Sequence, residues 1–265
     1  MRRSIFMACL AAAALAMPAV ASAVPQVIAK GKAIPIPGYP GTGNFYGKGA
    51  AVQAEYLITG TEYFGSPPPV IGVNVFLPTG TELHQGAFPT CSEAKLQQAG
   101  PSGCPAGSKA GPIGTVLGFV TFGGERVEEQ AELFSFYKPG GGFIFFTFGH
   151  TPTVLEVYSS GSFVNLRGAG GYGPELKTKV PLVPSVPGAP FASVKSIQAK
   201  VGSAIRVHGK PVYYGTVPKE GLCPKGGFRV KTEVIFAENG EEAKPVTVTN
   251  TFTTPCPPSR HHAHH

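Results

Sequence analysis

The chain contains neither aspartate nor tryptophan. Without aspartate, EF-hand and Asp-rich repeat calcium loops are excluded, because they take their oxygen ligands from closely spaced aspartates. Ser-His-Asp triads and paired-aspartate sites go with them, leaving only glutamate-based versions of carboxylate chemistry. Without tryptophan, a sugar-stacking platform would have to be built from the nine tyrosines and eighteen phenylalanines. Charged residues are scarce at 14%, and no basic cluster with interleaved aromatics occurs, so nothing points to nucleic acid. A C-x-x-C pair and a G-x-S-x-G nucleophile elbow are also missing.

What is present begins with an address. Arg2 and Arg3 precede an apolar stretch from Ile5 to Val20, and Ala21-Ser22-Ala23 forms a small-residue cleavage site. This is the pattern of a secretory signal peptide over residues 1–23. It predicts a mature chain from Val24 that is secreted or extracellular, with cell-surface association open. The stretch is short for a membrane span, so no transmembrane segment is expected in the mature chain. Arg2-Arg3 is a faint twin-arginine signal; the general secretory route agrees better with disulfides that form after export. Cys9 is lost with the leader, and it lies too early to be a lipid-attachment cysteine.

Without Arg2 and Arg3 the formal net charge falls from +7 to +5. That mild excess permits loose attraction to an anionic cell-wall polymer or membrane surface, and a cell-wall polymer or polysaccharide is the expected partner. Oligomeric state is open.

Thirty-six glycines and 27 prolines argue against long helices and for many strands joined by tight turns. Strand patterns run over Ala51–Thr59, Val70–Leu77, Gly114–Phe122, Arg126–Tyr137 and Phe143–Phe148. Thr153–Tyr158 and Ser162–Leu166 read as a hairpin around Ser159-Ser160-Gly161. Further strands are expected near 175–183, 192–200, 204–214 and 228–253, while Val24–Gly47 reads as extended and rich in Pro and Gly. No βαβ unit, internal repeat or domain boundary appears. The expectation is a single all-β domain over residues 24–258, a two-sheet antiparallel β-sandwich of jelly-roll type. Pro181, Pro184, Pro187 and Pro190 recur with the period of polyproline II, as a stiff crossover or, alternatively, a docking segment. Residues 259–265 read as a disordered His-rich tail.

The four mature cysteines, Cys91, Cys104, Cys223 and Cys256, allow three pairings. Proximity favours Cys91–Cys104 and Cys223–Cys256. The first would clip the one helix-like run, Ser92 to Ala99, capped by Thr90 or Ser92 and ended by Gly100-Pro101. The second would close the last hairpin. There Glu238-Asn239-Gly240-Glu241 turns the chain, and folding at Gly240 sets Phe228 opposite Phe252 and Val234 opposite Val246. A zinc site is the competing use of four cysteines, disfavoured by their spacing and by export.

Candidate chemistry is thin. Gly168-Ala169-Gly170-Gly171-Tyr172-Gly173 matches G-x-G-x-x-G but precedes a strand, so it reads as a loop and not a dinucleotide site. Ser92-x-x-Lys95 matches S-x-x-K without its companion motifs. Glu128, Gln130 and Glu132 share a strand face, and Glu156 lies on another. Paired glutamates across a concave sheet would suit a glycosidase; a solvated face is the plainer account. His84, His150 and His208 are scattered. His261, His262, His264 and His265 would bind a transition metal only in a loose tail. No catalytic residue, cofactor site or metal site is assigned.

Val75-Phe76-Leu77-Pro78-Thr79-Gly80, Phe88-Pro89-Thr90-Cys91-Ser92, Cys104-Pro105-Ala106-Gly107-Ser108-Lys109-Ala110-Gly111 and Cys223-Pro224-Lys225-Gly226-Gly227-Phe228 with Cys256 together resemble a group of uncharacterised secreted β-rich proteins from high-GC Gram-positive bacteria. The resemblance implies shared disulfides and fold, and brings no activity, ligand or catalytic residue. The functional expectation is a secreted or cell-envelope protein, non-enzymatic, with a binding or structural role. The alternative is a secreted glycan-acting hydrolase that uses paired glutamates.

Overall fold

The computed structural model describes residues 24–258. The expected signal peptide, with Cys9, and the His-rich segment expected as a tail lie outside the described residues. In chain order the strands are β1 (Gln26–Ile34), β2 (Ala51–Thr59), β3 (Val70–Pro78), β4 (Glu82–Leu83), β5 (Gly114–Phe122), β6 (Glu125–Tyr137), β7 (Phe143–Gly149), β8 (Leu155–Asn165), β9 (Tyr172–Lys179), β10 (Ser193–Val201), β11 (Ala204–Val207), β12 (Lys210–Tyr213), β13 (Gly215–Thr216), β14 (Phe228–Ala237) and β15 (Pro245–Thr254). The helix α1 (Glu93–Ala99) falls between β4 and β5.

Eleven strands make one antiparallel sheet, in the order β1-β2-β10-β5-β6-β7-β8-β9-β3-β14-β15. The sheet curls until its first and last strands touch, and it is nearly closed into a barrel. Among the described residues no backbone ladder joins β1 to β15; side chains close the seam instead. The all-β expectation holds. The two-sheet sandwich is corrected to a single curled sheet whose opposite walls face each other. Period-two alternation is the same in both arrangements, which is why the pattern alone led to the wrong one.

The alternation sets inside and outside. Ala131 and Leu133 of β6, Phe143 and Phe145 of β7, and Val157 of β8 face the interior. Lys30, Glu55, Glu128, Glu132, Lys177 and Lys231 occupy the outward phase. A barrel facing lipid shows the reverse order, apolar outside and polar within. Among the described residues no helix is long and apolar enough to cross a membrane.

Three strand readings need correction. β8 runs unbroken through Ser159-Ser160-Gly161. Ser159 and Gly161 lie opposite Phe145 and Phe143, so these small residues make room for aromatic neighbours and are not a turn. The 204–214 strand is a hairpin, β11 and β12, turned at His208 (φ 48°) and Gly209 (φ 77°), the conformation of a type I′ turn. Part of 24–47 is a full strand, β1; its inward residues Ala29, Gly31 and Ala33 are too small to give an apolar signal.

The last hairpin forms with the expected faces and a register shifted by two. Phe228 lies opposite Thr254, Val230 opposite Phe252, and Val234 opposite Val248. The loop between Ala237 and Pro245 is longer than the Asn-Gly turn predicts, and a shift of two preserves which side chains face inward.

Both expected disulfides are present, Cys91–Cys104 and Cys223–Cys256. Ser92 caps α1, its Oγ accepting from the Lys95 backbone N–H at 3.2 Å, and the Gly100 N–H donates to the Leu96 carbonyl. Leu96, 1% exposed, presses onto the outer face of β6 and β7 beside Phe136, Ile144 and Phe146. Burying such a leucine contributes about 1.5–3 kcal/mol. The clipped helix therefore covers a strongly apolar stretch of the barrel exterior.

Candidate functional site: the barrel lumen

Eight-stranded barrels are just wide enough for side chains to fill, whereas eleven strands enclose a wider space. Here part of that space stays empty, as a cavity of about 350 Å³. Its walls explain the vacancy. Ala54 and Ala199 lie side by side on β2 and β10, so that stretch of wall projects little into the lumen. Gly118 and Ala131 keep the adjoining strands β5 and β6 thin in the same way. Phe145, Val157, Val194 and Ile197 point inward yet are only half-buried, because they face the hollow.

The two ends differ. One end is floored by an aromatic cluster in which Tyr137 stacks on Tyr214 at 4.3 Å between ring centres. Phe143 lies 5.2 Å from Tyr214 and 5.7 Å from Phe163, and Phe88 packs on both tyrosines. The Tyr137 hydroxyl is tied to the Ser203 hydroxyl and accepts from the Ser203 N–H, both at 2.9 Å. Burial nevertheless pushes its pKa up to about 12.

The other end is crossed by two loops. The proline-rich connection from β9 to β10 behaves as the expected crossover: the Thr121 N–H donates to Ser185 Oγ at 2.7 Å, and Pro181 and Val183 border the cavity. Residues 60–69 cross the same end. Arg126 joins the two, donating to the Phe191 carbonyl at 3.0 Å, Ser66 Oγ at 3.0 Å and Ser193 Oγ at 2.8 Å.

Near this second end stands Glu129, 4% exposed and the one carboxylate among the cavity-lining residues. Neither of its oxygens makes a hydrogen bond of ordinary geometry among the described residues, although the Thr153 backbone lies close enough to favour the ionised form. Its side chain lies over Gly149, where any Cβ would overlap Oε1. Burial raises its pKa above the ordinary carboxylate value, offset in part by the Thr153 backbone and by His150. An unpartnered buried carboxylate is costly, and native interiors rarely keep one without a reason. Two neutral oxygens also face the lumen without partners, the Thr232 and Tyr214 hydroxyls.

The sequence singled out Glu128, Gln130 and Glu132, the wrong phase of the same strand. All three point outward and are exposed, and Glu128 is ion-paired with Lys195. Glu132 and Glu156 both neighbour Phe148, one on each side, on the convex exterior. The missed signal is that Glu129 alternates in step with Val127, Ala131 and Leu133, the apolar face. Ser92 serves as the helix cap, which accounts for the S-x-x-K match. The glycine run at 168–173 is a tight turn into β9, as expected of a loop. His84, with Nδ1 3.0 Å from the Tyr213 carbonyl, His150 against the Phe148 ring, and His208 in its turn lie apart. Among the described residues no group of His, Cys and Glu is placed to hold a metal ion. Comparison with protein-family models, with curated proteins and with solved structures finds no match.

Proposed function

We propose that this chain is an exported, non-enzymatic binding protein that encloses an apolar molecule within its barrel. The observation that carries the reading is the hollow lumen: an apolar cavity of about 350 Å³ that the inward side chains of the eleven strands leave unfilled. Cavities of this size and lining are the usual setting of small-molecule sites. The leader and the two disulfides suit a protein working outside the cytoplasm. The glycan-hydrolase alternative draws less support. Glu132 and Glu156 sit on a convex surface with Phe148 standing between them, where a sugar ring would have to lie.

The test is titration with a neutral apolar fluorophore, N-phenylnaphthylamine, against the disulfide-bonded chain and an Ala199→Phe variant that fills the lumen. Saturable one-to-one binding is expected, weakened about tenfold or more in the filled variant at unchanged circular dichroism. Absence of saturable binding, or equal binding by both proteins, overturns the reading. A panel of glycans and cell-wall polymers runs in parallel; retention insensitive to Ala199→Phe would place the function on the exterior.

A further inference from the structure

Resting on the reading of the lumen as a binding site, we infer that its ligand is an elongated apolar molecule ending in a hydrogen-bond donor, an ammonium or hydroxyl group, and that Glu129 receives that end. Three observations converge. Glu129 is buried, faces the cavity and leaves both carboxylate oxygens without a hydrogen bond of ordinary geometry. The opposite end of the lumen is aromatic around Phe143, Phe163 and Tyr214, and its unpartnered polar atom is the neutral Tyr214 hydroxyl, so the site has a carboxylate pole and an aromatic pole. Glu129 and Tyr137, which packs against Phe143, are about 26 Å apart along β6, a strand tilted to the barrel axis, so the two poles are separated lengthwise and suit an elongated molecule.

The charge balance selects the head group. A carboxylate-headed lipid would bring a second negative group to a buried acid, and like charges at short range in a low dielectric repel strongly. An ammonium pairs with the ionised carboxylate, and a hydroxyl bonds to either protonation state. Lys30 and Lys32 also border the cavity, at the β1–β15 seam, but both belong to the outward phase of β1 and are exposed. They offer the competing pole: a fatty acid would dock its head there, reversing the ligand.

The experiment is displacement of N-phenylnaphthylamine by dodecylamine, dodecanol and laurate, with wild type, Glu129→Gln and Glu128→Gln. Glu128, adjacent but outward, controls for the loss of one charge. The wild type is expected to take dodecylamine or dodecanol at least about tenfold more tightly than laurate. Dodecylamine ahead of dodecanol identifies an ionised Glu129; equal affinities identify a protonated one. Glu129→Gln should bring the amine-to-laurate ratio toward unity, and Glu128→Gln should leave that ratio in place. Laurate binding as tightly as the amine and the alcohol, or a preference that survives Glu129→Gln, overturns the inference while leaving the apolar site standing. The wild-type ranking is a sufficient test if Glu129→Gln does not fold. Probe binding that none of the three displaces sinks the lumen reading itself.

Discussion

Asn250 of β15 reaches across the gap in the barrel and donates its side-chain N–H to the Val27 carbonyl of β1 at 3.2 Å. Two residues further along β15, the Phe252 ring closes over Gly31, where a Cβ would lie 3.1 Å from Cζ and 3.3 Å from the Gln53 carbonyl oxygen. The first and last strands are thus joined by side chains in place of a ladder. The seam is the weakest line in the wall.

Substitution at that seam should loosen β1 and β15 before the rest of the sheet. Gly31→Val introduces a branched side chain where only hydrogen fits, and is expected to cost about 1–3 kcal/mol. Asn250→Ala should cost about 1 kcal/mol, the net value of one such bond. Hydrogen exchange read by mass spectrometry should show faster exchange concentrated in 26–34 and 245–254. Uniform acceleration over all strands would show that the seam has no separate opening.

The two disulfides should differ in weight. Their sequence separations are 13 and 33, so chain entropy alone makes the terminal clip about 0.8 kcal/mol stronger, within a total of roughly 3–4 kcal/mol for each. Cys223–Cys256 also anchors β15, the seam strand. Replacing Cys223 and Cys256 by alanine should lower Tm further than replacing Cys91 and Cys104, and should expose 245–254 to protease. A larger Tm loss from the Cys91–Cys104 pair would show that the α1 cover, with its buried Cys91, outweighs the seam.

Glu129 should make stability depend on pH in a defined direction. Its folded pKa is raised, by burial first, so the folded state holds its proton more tightly than the unfolded chain. Below the ordinary glutamate value both states are protonated and the group is neutral to stability. As pH climbs from that value through the raised folded value, the unfolded state gains by ionising and stability falls. His150 faces the carboxylate and partly offsets the effect of burial. Glu129→Met removes the dependence and keeps side-chain length. Its Tm advantage over wild type should therefore widen from acid to neutral pH and then level off. A constant gap would show that the carboxyl is not perturbed.

Arg126 should control the loop-covered end. Its three hydrogen bonds hold 60–69 and the β9–β10 crossover together, and charged donors of this kind contribute more than neutral ones. Arg126→Met is expected to destabilise the protein by about 2 kcal/mol or more. Arg126→Lys should recover only part, because a single ammonium does not reproduce the planar fork. Limited proteolysis should cut within 60–69 first in both variants. Full recovery by lysine would mean that charge alone matters there.

Much of this architecture is legible in the order of residues. Period-two alternation located most strands. Gly123-Gly124 marked the β5–β6 hairpin, and Ser92 with Gly100 bounded α1. Cysteine proximity agreed with both disulfides. Each of these is a local property, decided by backbone conformation and neighbours a few residues away. The tertiary structure decided what depends on distant partners. Closure of one sheet, not the pairing of two, follows from where β1 meets β15. The two-residue register shift of the last hairpin follows from its longer loop. Ser159 and Gly161 read as a turn until Phe145 and Phe143 arrive beside them, and β1 stays silent because its inward residues are small. The hollow itself arises because eleven strands enclose more space than their inward side chains fill, with Ala54 and Ala199, far apart in the chain, side by side on the wall. Glu129 becomes a buried acid facing an empty space only once eleven strands enclose that space, since alternation can say which residues share a face but not what lies across from it.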